Sequence, residues 1–195
     1  LKKHVKKRGV KPLNVIGIIP IRGQEIDSRI LPLKTIKGKP LVDWSIDSAL
    51  KCSEIKKLIV TTPDRQTIDH VNKKYCNSVD LHVREPQLAR INSSISETVA
   101  EILEIEKNND NKLDALMILD IDSPFRTEMY ISKAINVMQI FSVDSVMAVR
   151  MDDDLFYNHD GTGLKPRISN EKFRLERDEM YRQVGGLTLV KIQYF

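Results

Sequence analysis

The sequence predicts an α/β fold: a three-layer αβα sandwich around a mostly parallel sheet. Short apolar runs rich in β-branched residues alternate with longer segments of helical period, which is the pattern of βαβ units. Parallel strands joined in this way need right-handed crossovers and helices on both faces of the sheet. The chain has 195 residues, enough for one such core without disulfide or metal support.

The first strand is Val15 to Ile19, stopped by Pro20. A polar loop runs from Arg22 to Lys39, and Val42, Ile46, Ala49 and Leu50 then fall on one face of a helix. Leu58 to Thr61 reads as the second strand. Ile68, Val71 and Tyr75 keep helical spacing, and Val79 to Val83 reads as the third strand. Ser94 and Glu97 form a capping box opening a helix through Ile95, Val99, Ile102 and Leu103. Ala115 to Leu119 is a buried strand, and Thr127 is the expected N-cap of a helix carrying Ile131, Ala134, Ile135 and Met138. Ser145 to Val149 is the next strand. The alternation then decays into a polar stretch, Asp152 to Glu179, with turn signals at Asp160 and Gly161, read as an excursion or small β unit. Leu187 to Ile192 reads as a last strand. A strand is a poor natural ending, so the expected organisation is a basic leader, residues 1–13, and a domain over 14–195 cut short at its C-terminal side.

This order is Rossmann-like, and ligands of such sheets bind beyond the carboxyl ends of the strands. That rule selects three loops: Ile21 to Lys34, Arg84 to Ser94 and Asp120 to Arg126.

Composition narrows the function classes. The net charge is +4, but six of the 31 basic residues lie in the first eleven positions; removing them leaves 25 against 27 acidic residues, a body of net −2. The basic excess is therefore a leader, open to a nucleic-acid or membrane role or to none. An acidic body with no recognition helix argues against a nucleic-acid partner. No apolar run approaches the roughly 20 residues of a membrane span, and the two cysteines, Cys52 and Cys76, lack metal spacing. The expected location is the cytoplasm, with no membrane partner. His4, His70, His82 and His159 have no ligand-like spacing, while Trp44, Met129, Met138 and Met147 are expected in the core.

Two loops carry the chemistry. The first aims Arg22, Arg29, Lys34 and the backbone around Gly23 at one spot, which suits a triphosphate. In L-D-I-D-S-P-F-R, Leu119 to Arg126, the pleat sends Asp120 and Asp122 to opposite faces or the strand has already ended. An aspartate there can hold Mg²⁺ through one oxygen, or serve as a turn residue tied to Ser123 and Thr127.

These segments make the chain resemble the N-acylneuraminate branch of the cytidylyltransferases that make CMP-activated acidic sugars, relatives of the KDO cytidylyltransferases. I-I-P-I-R, Ile18 to Arg22, and S-R-I-L-P-L-K-T, Ser28 to Thr35, are similar to the family's I-P-A-R and S-K-G-[IL]-P-x-K-N, with Arg29 in place of lysine and Thr35 in place of asparagine. Gly38 to Lys51 resembles G-x-P-L-I-x-W-T-I-x-A-A-L, and Val83 to Ile95 resembles R-R-P-x-E-L-A-x-D-x-A-S-S-I. D-I-D-S-P-F-R stands where the family has Q-P-T-S-P-L-R, and Tyr181 to Val190 is similar to Y-R-x-N-G-A-[IL]-Y-I with Val184 replacing asparagine.

The resemblance implies a nucleotide-diphospho-sugar transferase fold and an enzyme that moves CMP from CTP to an acidic sugar, releasing pyrophosphate. It implies Arg22, Arg29 and Lys34 as catalytic residues. Arg22, Gly23, Ser28, Arg29, Lys34, Arg84 and Ser94 would hold the nucleotide, and Asp120, Arg126, Arg182 and Gln183 the sugar. Asp122 would bind Mg²⁺, and the partner would be a second copy in a homodimer. Arg126 and Arg182 suit a sugar carboxylate or a structural ion pair equally. A non-catalytic binding domain, another sugar nucleotidyltransferase and a D-x-D glycosyltransferase are the competing readings.

Overall fold

The computed structural model describes residues 12–109, 112–152, 154, 156–167 and 179–195. The leader up to Lys11 and Asp153 of the acidic run lie outside these residues. In chain order the elements are β1 (Val15–Pro20), β2 (Thr35–Ile36), β3 (Lys39–Pro40), α1 (Leu41–Leu50), β4 (Ile55–Thr62), α2 (Arg65–Tyr75) and β5 (Asp80–Val83). They continue with α3 (Ile95–Asn108), β6 (Ala115–Leu119), α4 (Glu128–Phe141), β7 (Ser145–Asp152), β8 (Tyr157–His159), β9 (Leu164–Pro166) and β10 (Met180–Lys191).

Six strands form one sheet in the order β5-β4-β1-β6-β10-β7. β1 pairs parallel with β4 and β6, and β4 pairs parallel with β5. β10 runs antiparallel to β6, Leu187 opposite Leu119 and Leu189 opposite Met117. The sheet is thus mostly parallel. Val15, Ile16, Ile18 and Ile19 are all buried, so both faces of β1 are covered. On one face Ile16, Ile18, Ile59 and Leu116 pack against Val99 and Ile102 of α3. α1 lies against β1 and β4 and touches α4.

Asp43, fully buried on α1, ties that helix to α2: His70 Nε2 lies 2.8 Å from Asp43 Oδ1, and Lys74 Nζ donates to Oδ2 at 2.7 Å. Asp43→Ala removes both bonds, but His70 and Lys74, partly exposed, turn to water, so the expected cost is about 1 kcal/mol in urea unfolding.

The described residues form two compact units, one reaching Met147 and resuming at Gly185–Phe195, the other spanning Ala148–Val184. In the second, β8 and β9 form the small β unit expected between Asp152 and Glu179. Its turn is held by Asp160 Oδ1, which accepts from the N–H groups of Thr162 and Gly163.

Three expectations are corrected. β10 starts seven residues before Leu187, because its first half is polar and lacks an apolar run. Thr127 occupies the N-cap of α4 without a side-chain cap bond, whereas Ser94 Oγ does cap α3, accepting from Ser96 N–H at 3.2 Å. Met129 and Met147 are exposed; Met138 alone of the three methionines is core.

Candidate active site

The three loops selected by the strand-end rule meet at one cleft of about 310 Å³. Pro20 ends β1, Arg22 and Ile30 come from the loop after it, Arg84, Leu88 and Ser93 from the loop after β5, and Asp120, Ile121 and Asp122 from the segment after β6. Ile95, at the start of α3, and Ile118 line it as well.

Arg84 sets the electrostatics. Its side chain is 3% exposed, and neither Nε nor Nη1 has a hydrogen-bond partner among the described residues. Burial and the nearby Arg22 cation push its pKa down. A buried guanidinium with two nitrogens unpartnered among the described residues, beside a second cation, has the chemistry to receive an anion or a carbonyl. Asp120 and Asp122 lie in the same cleft. Burial of the Asp120 carboxyl by surrounding protein raises its pKa, the Arg126 charge lowers it and the Asp122 charge raises it. Among the described residues no three His, Cys, Asp or Glu side chains gather as a metal cage. A two-carboxylate edge is still the protein share that Mg²⁺ takes when phosphates and water complete its octahedron.

Arg29 and Lys34 do not line this cleft. Arg29 is held by Asp27, donating from Nε to Oδ1 at 2.9 Å and from Nη2 to Oδ2 at 2.8 Å, while Ser28 between them is exposed. Lys34 lines a neighbouring cavity of about 630 Å³ with Leu31, Pro32, Asp64 and Gln66. Gly23 is needed for another reason: at φ 82° it sits so close to Asp64 that a Cβ would stand 2.7 Å from the Asp64 Cβ. Ser94 spends its hydroxyl on α3, capping Ser96 N–H and donating to Ser96 Oγ at 3.1 Å.

Asp27 is a residue the sequence reading passed over, although an aspartate two positions before an arginine was there to be seen. Hydrogen bonds from the Arg29 side chain and backbone, with the charges of Arg29 and Arg22, hold its carboxyl down to about 2. A carboxyl lowered by folding adds stability that is complete above its unfolded pKa of about 4 and is lost as pH falls through about 2. The difference in melting temperature between wild type and Asp27→Asn is expected to shrink over that window.

Arg126 is buried and engaged by the protein. Nη1 donates to the carbonyls of Gly186 (2.8 Å), Asp120 (3.2 Å) and Gly185 (3.3 Å), and Nη2 to Ser45 Oγ (3.2 Å) and Asp120 O (3.2 Å). Burial lowers its pKa to about 10 against the pull of Asp120. Its partners are backbone carbonyls and a hydroxyl, not the carboxylate of the ion pair that the sequence offered as one of two readings. Arg182 and Gln183 belong to the second unit, where Arg182 Nη2 pairs with Asp152 Oδ2 at 2.5 Å.

Over 183 residues the chain is 29% identical to CMP-N,N'-diacetyllegionaminic acid synthase of Legionella pneumophila, covering 90% of this chain and 77% of that protein. It is 28% identical over 125 residues to N-acylneuraminate cytidylyltransferase of Escherichia coli, covering 64% of this chain but only 28% of that longer protein. In structure it resembles 4-diphosphocytidyl-2C-methyl-D-erythritol synthase from Anaerococcus prevotii, with a TM-score of 0.66 at 15% identity, over 95% of this chain and 73% of that one. It also resembles a CMP:2-keto-3-deoxy-manno-octonic acid synthetase complexed with CTP, with a TM-score of 0.60 at 14% identity, over 91% and 74% of the two chains. These two likenesses speak for the fold. The cytidylyltransferase family model matches residues 16–157, a span holding all three loops of the cleft, and on that match this chain belongs to the cytidylyltransferase family.

Proposed function

We propose that the chain transfers CMP from CTP to an acidic sugar of the nonulosonate class, releasing pyrophosphate. The observation that carries this reading is the buried Arg84 guanidinium, its Nε and Nη1 unpartnered among the described residues, beside Arg22 and in the same cleft as Asp120 and Asp122. The names of the two sequence relatives, both CMP-sugar-forming enzymes, support the acceptor class.

In this reading a hydroxyl of the sugar attacks the α-phosphorus of CTP. The new P–O bond forms as the bond to the β-phosphate breaks, the hydroxyl proton leaves to solvent, and pyrophosphate departs. Arg22 and Arg84 hold and orient the nucleotide, so that alignment and neutralised charge supply most of the acceleration. Asp122, with Asp120 beside it, would hold Mg²⁺, which when bound neutralises phosphate charge. Arg29 and Lys34, on the loop after β1, would counter charge on the leaving pyrophosphate, Arg29 only by giving up Asp27 for phosphate oxygens.

The test joins binding to turnover. CTP with Mg²⁺ at about a hundred times its dissociation constant should stabilise the protein by about 2.7 kcal/mol, a rise of roughly 5–10 °C in melting temperature, with ATP, GTP and UTP giving far less. Pyrophosphate should appear only when CTP, sugar acid and Mg²⁺ are present together. The position of Arg29 and Lys34 outside the cleft favours one second reading, a nucleotide-binding module without turnover. A CTP-selective rise without pyrophosphate would establish that reading instead, and no rise with any nucleotide would sink both.

A further inference from the structure

Arg126 spends both terminal nitrogens on the protein, on Asp120 at the end of β6, on Gly185 and Gly186 of β10, and on Ser45 of α1. Asp120 is gripped on both sides: its carbonyl accepts from both terminal nitrogens of Arg126, and its N–H donates to Gly186 O at 2.9 Å. The same Gly186 carbonyl accepts from Arg126 at 2.8 Å. Arg126 N–H donates to Ser123 O at 3.2 Å, closing the turn that follows Asp122. Gly186 stands directly against this segment, for a Cβ there would lie 2.9 Å from Asp120 Cβ and 3.1 Å from Ser123 Oγ. Ser45 of α1 supplies the remaining anchor at 3.2 Å. A charge this deep is costly, and an apolar side chain would fill the space more cheaply. What an apolar side chain cannot do is bind three carbonyls from two separate chain segments at once.

We propose that Arg126 is a positioning residue: its guanidinium staples the end of β6 to Gly185 and Gly186 and thereby aims the Asp120 and Asp122 carboxylates into the cleft. This rests on the reading of those carboxylates as the Mg²⁺ edge of the site. Lysine keeps the charge but offers one nitrogen and no planar fork, so it cannot span the same acceptors.

The test uses Mn²⁺ as the probe, followed by its electron paramagnetic resonance signal in the presence of CTP, on the wild type, Arg126→Lys and Gly186→Ala. Arg126→Lys is expected to bind CTP without divalent cation to within about threefold of wild type, yet to bind Mn²⁺ about 10–100-fold more weakly, the usual cost of disturbing a group that orients metal ligands. Where turnover is measured, kcat should fall by a similar factor with KM for CTP little changed. Gly186→Ala, pressing on the same segment from the other side, should move Mn²⁺ binding in the same direction, and it decides the matter if Arg126→Lys does not fold. Folded variants that bind Mn²⁺ as the wild type does would overturn the positioning role while leaving the proposed reaction intact. A wild type that shows no CTP-dependent Mn²⁺ binding would overturn the reading of the carboxylates, and the staple's purpose with it.

Discussion

Arg84→Met is expected to make the protein more stable and nearly unable to bind nucleotide. The guanidinium is buried, its Nε and Nη1 have no partner among the described residues, and a second cation stands nearby. Replacing an uncompensated buried charge with an apolar side chain of similar length removes a desolvation cost, so unfolding in urea without ligand should require about 1–3 kcal/mol more. The backbone bond from Arg84 N–H to Thr62 O at 3.2 Å survives the change. Nucleotide affinity should fall about 100-fold, because a buried charged hydrogen-bond partner of the ligand is lost. Urea titration and calorimetric titration with CTP measure the two effects separately. A variant less stable than the wild type would mean that the guanidinium is answered by protein in solution, and the case for an anion receptor would collapse.

The second large effect belongs to Asp122. Asp122→Asn should lower turnover about 1,000-fold, since metal-assisted charge neutralisation is worth several kcal/mol at the reacting phosphate. Binding of CTP without a divalent cation should be unchanged or tighter, because one negative charge leaves the cleft proposed for the triphosphate. The variant should also let the Asp120 carboxyl ionise more easily, because Asp122 is one of the groups raising its pKa. Carbon-detected NMR of the side-chain carboxyls reads that shift without any turnover. Turnover that survives the substitution would remove Asp122 from the proposed metal edge.

The elements that could be read from the sequence are those whose signal lies in their own residues. Val15 to Ile19 and Ala115 to Leu119 announce themselves as buried strands by composition, and Ile131, Ala134, Ile135 and Met138 announce a helix face by spacing. The direction of β10 was not legible, since antiparallel pairing with β6 is decided by a partner more than sixty residues away. The strand-end rule found all three loops of the cleft because it depends on topology alone. Within those loops it does not separate the side chains that line the cleft, Arg22, Arg84, Asp120 and Asp122, from those that do not. Arg29 is claimed by Asp27 two residues before it, and Arg126 by carbonyls about sixty residues after it, which no local pattern encodes. Asp120 and Asp122 share the cleft although strand alternation would part them, because β6 ends at Leu119 and the pleat ends with it.

The place of β10 in the sheet also bears on how the chain is made. β6 is complete by Leu119, but the strand that covers its free edge is translated only at Leu187–Lys191, and β7 joins the sheet on the far side of that late arrival. While the ribosome adds the intervening residues, the backbone of β6 offers an open ladder of N–H and C=O groups flanked by Leu116, Met117 and Leu119. Nascent chains in this interval are the ones exposed to mispairing with one another.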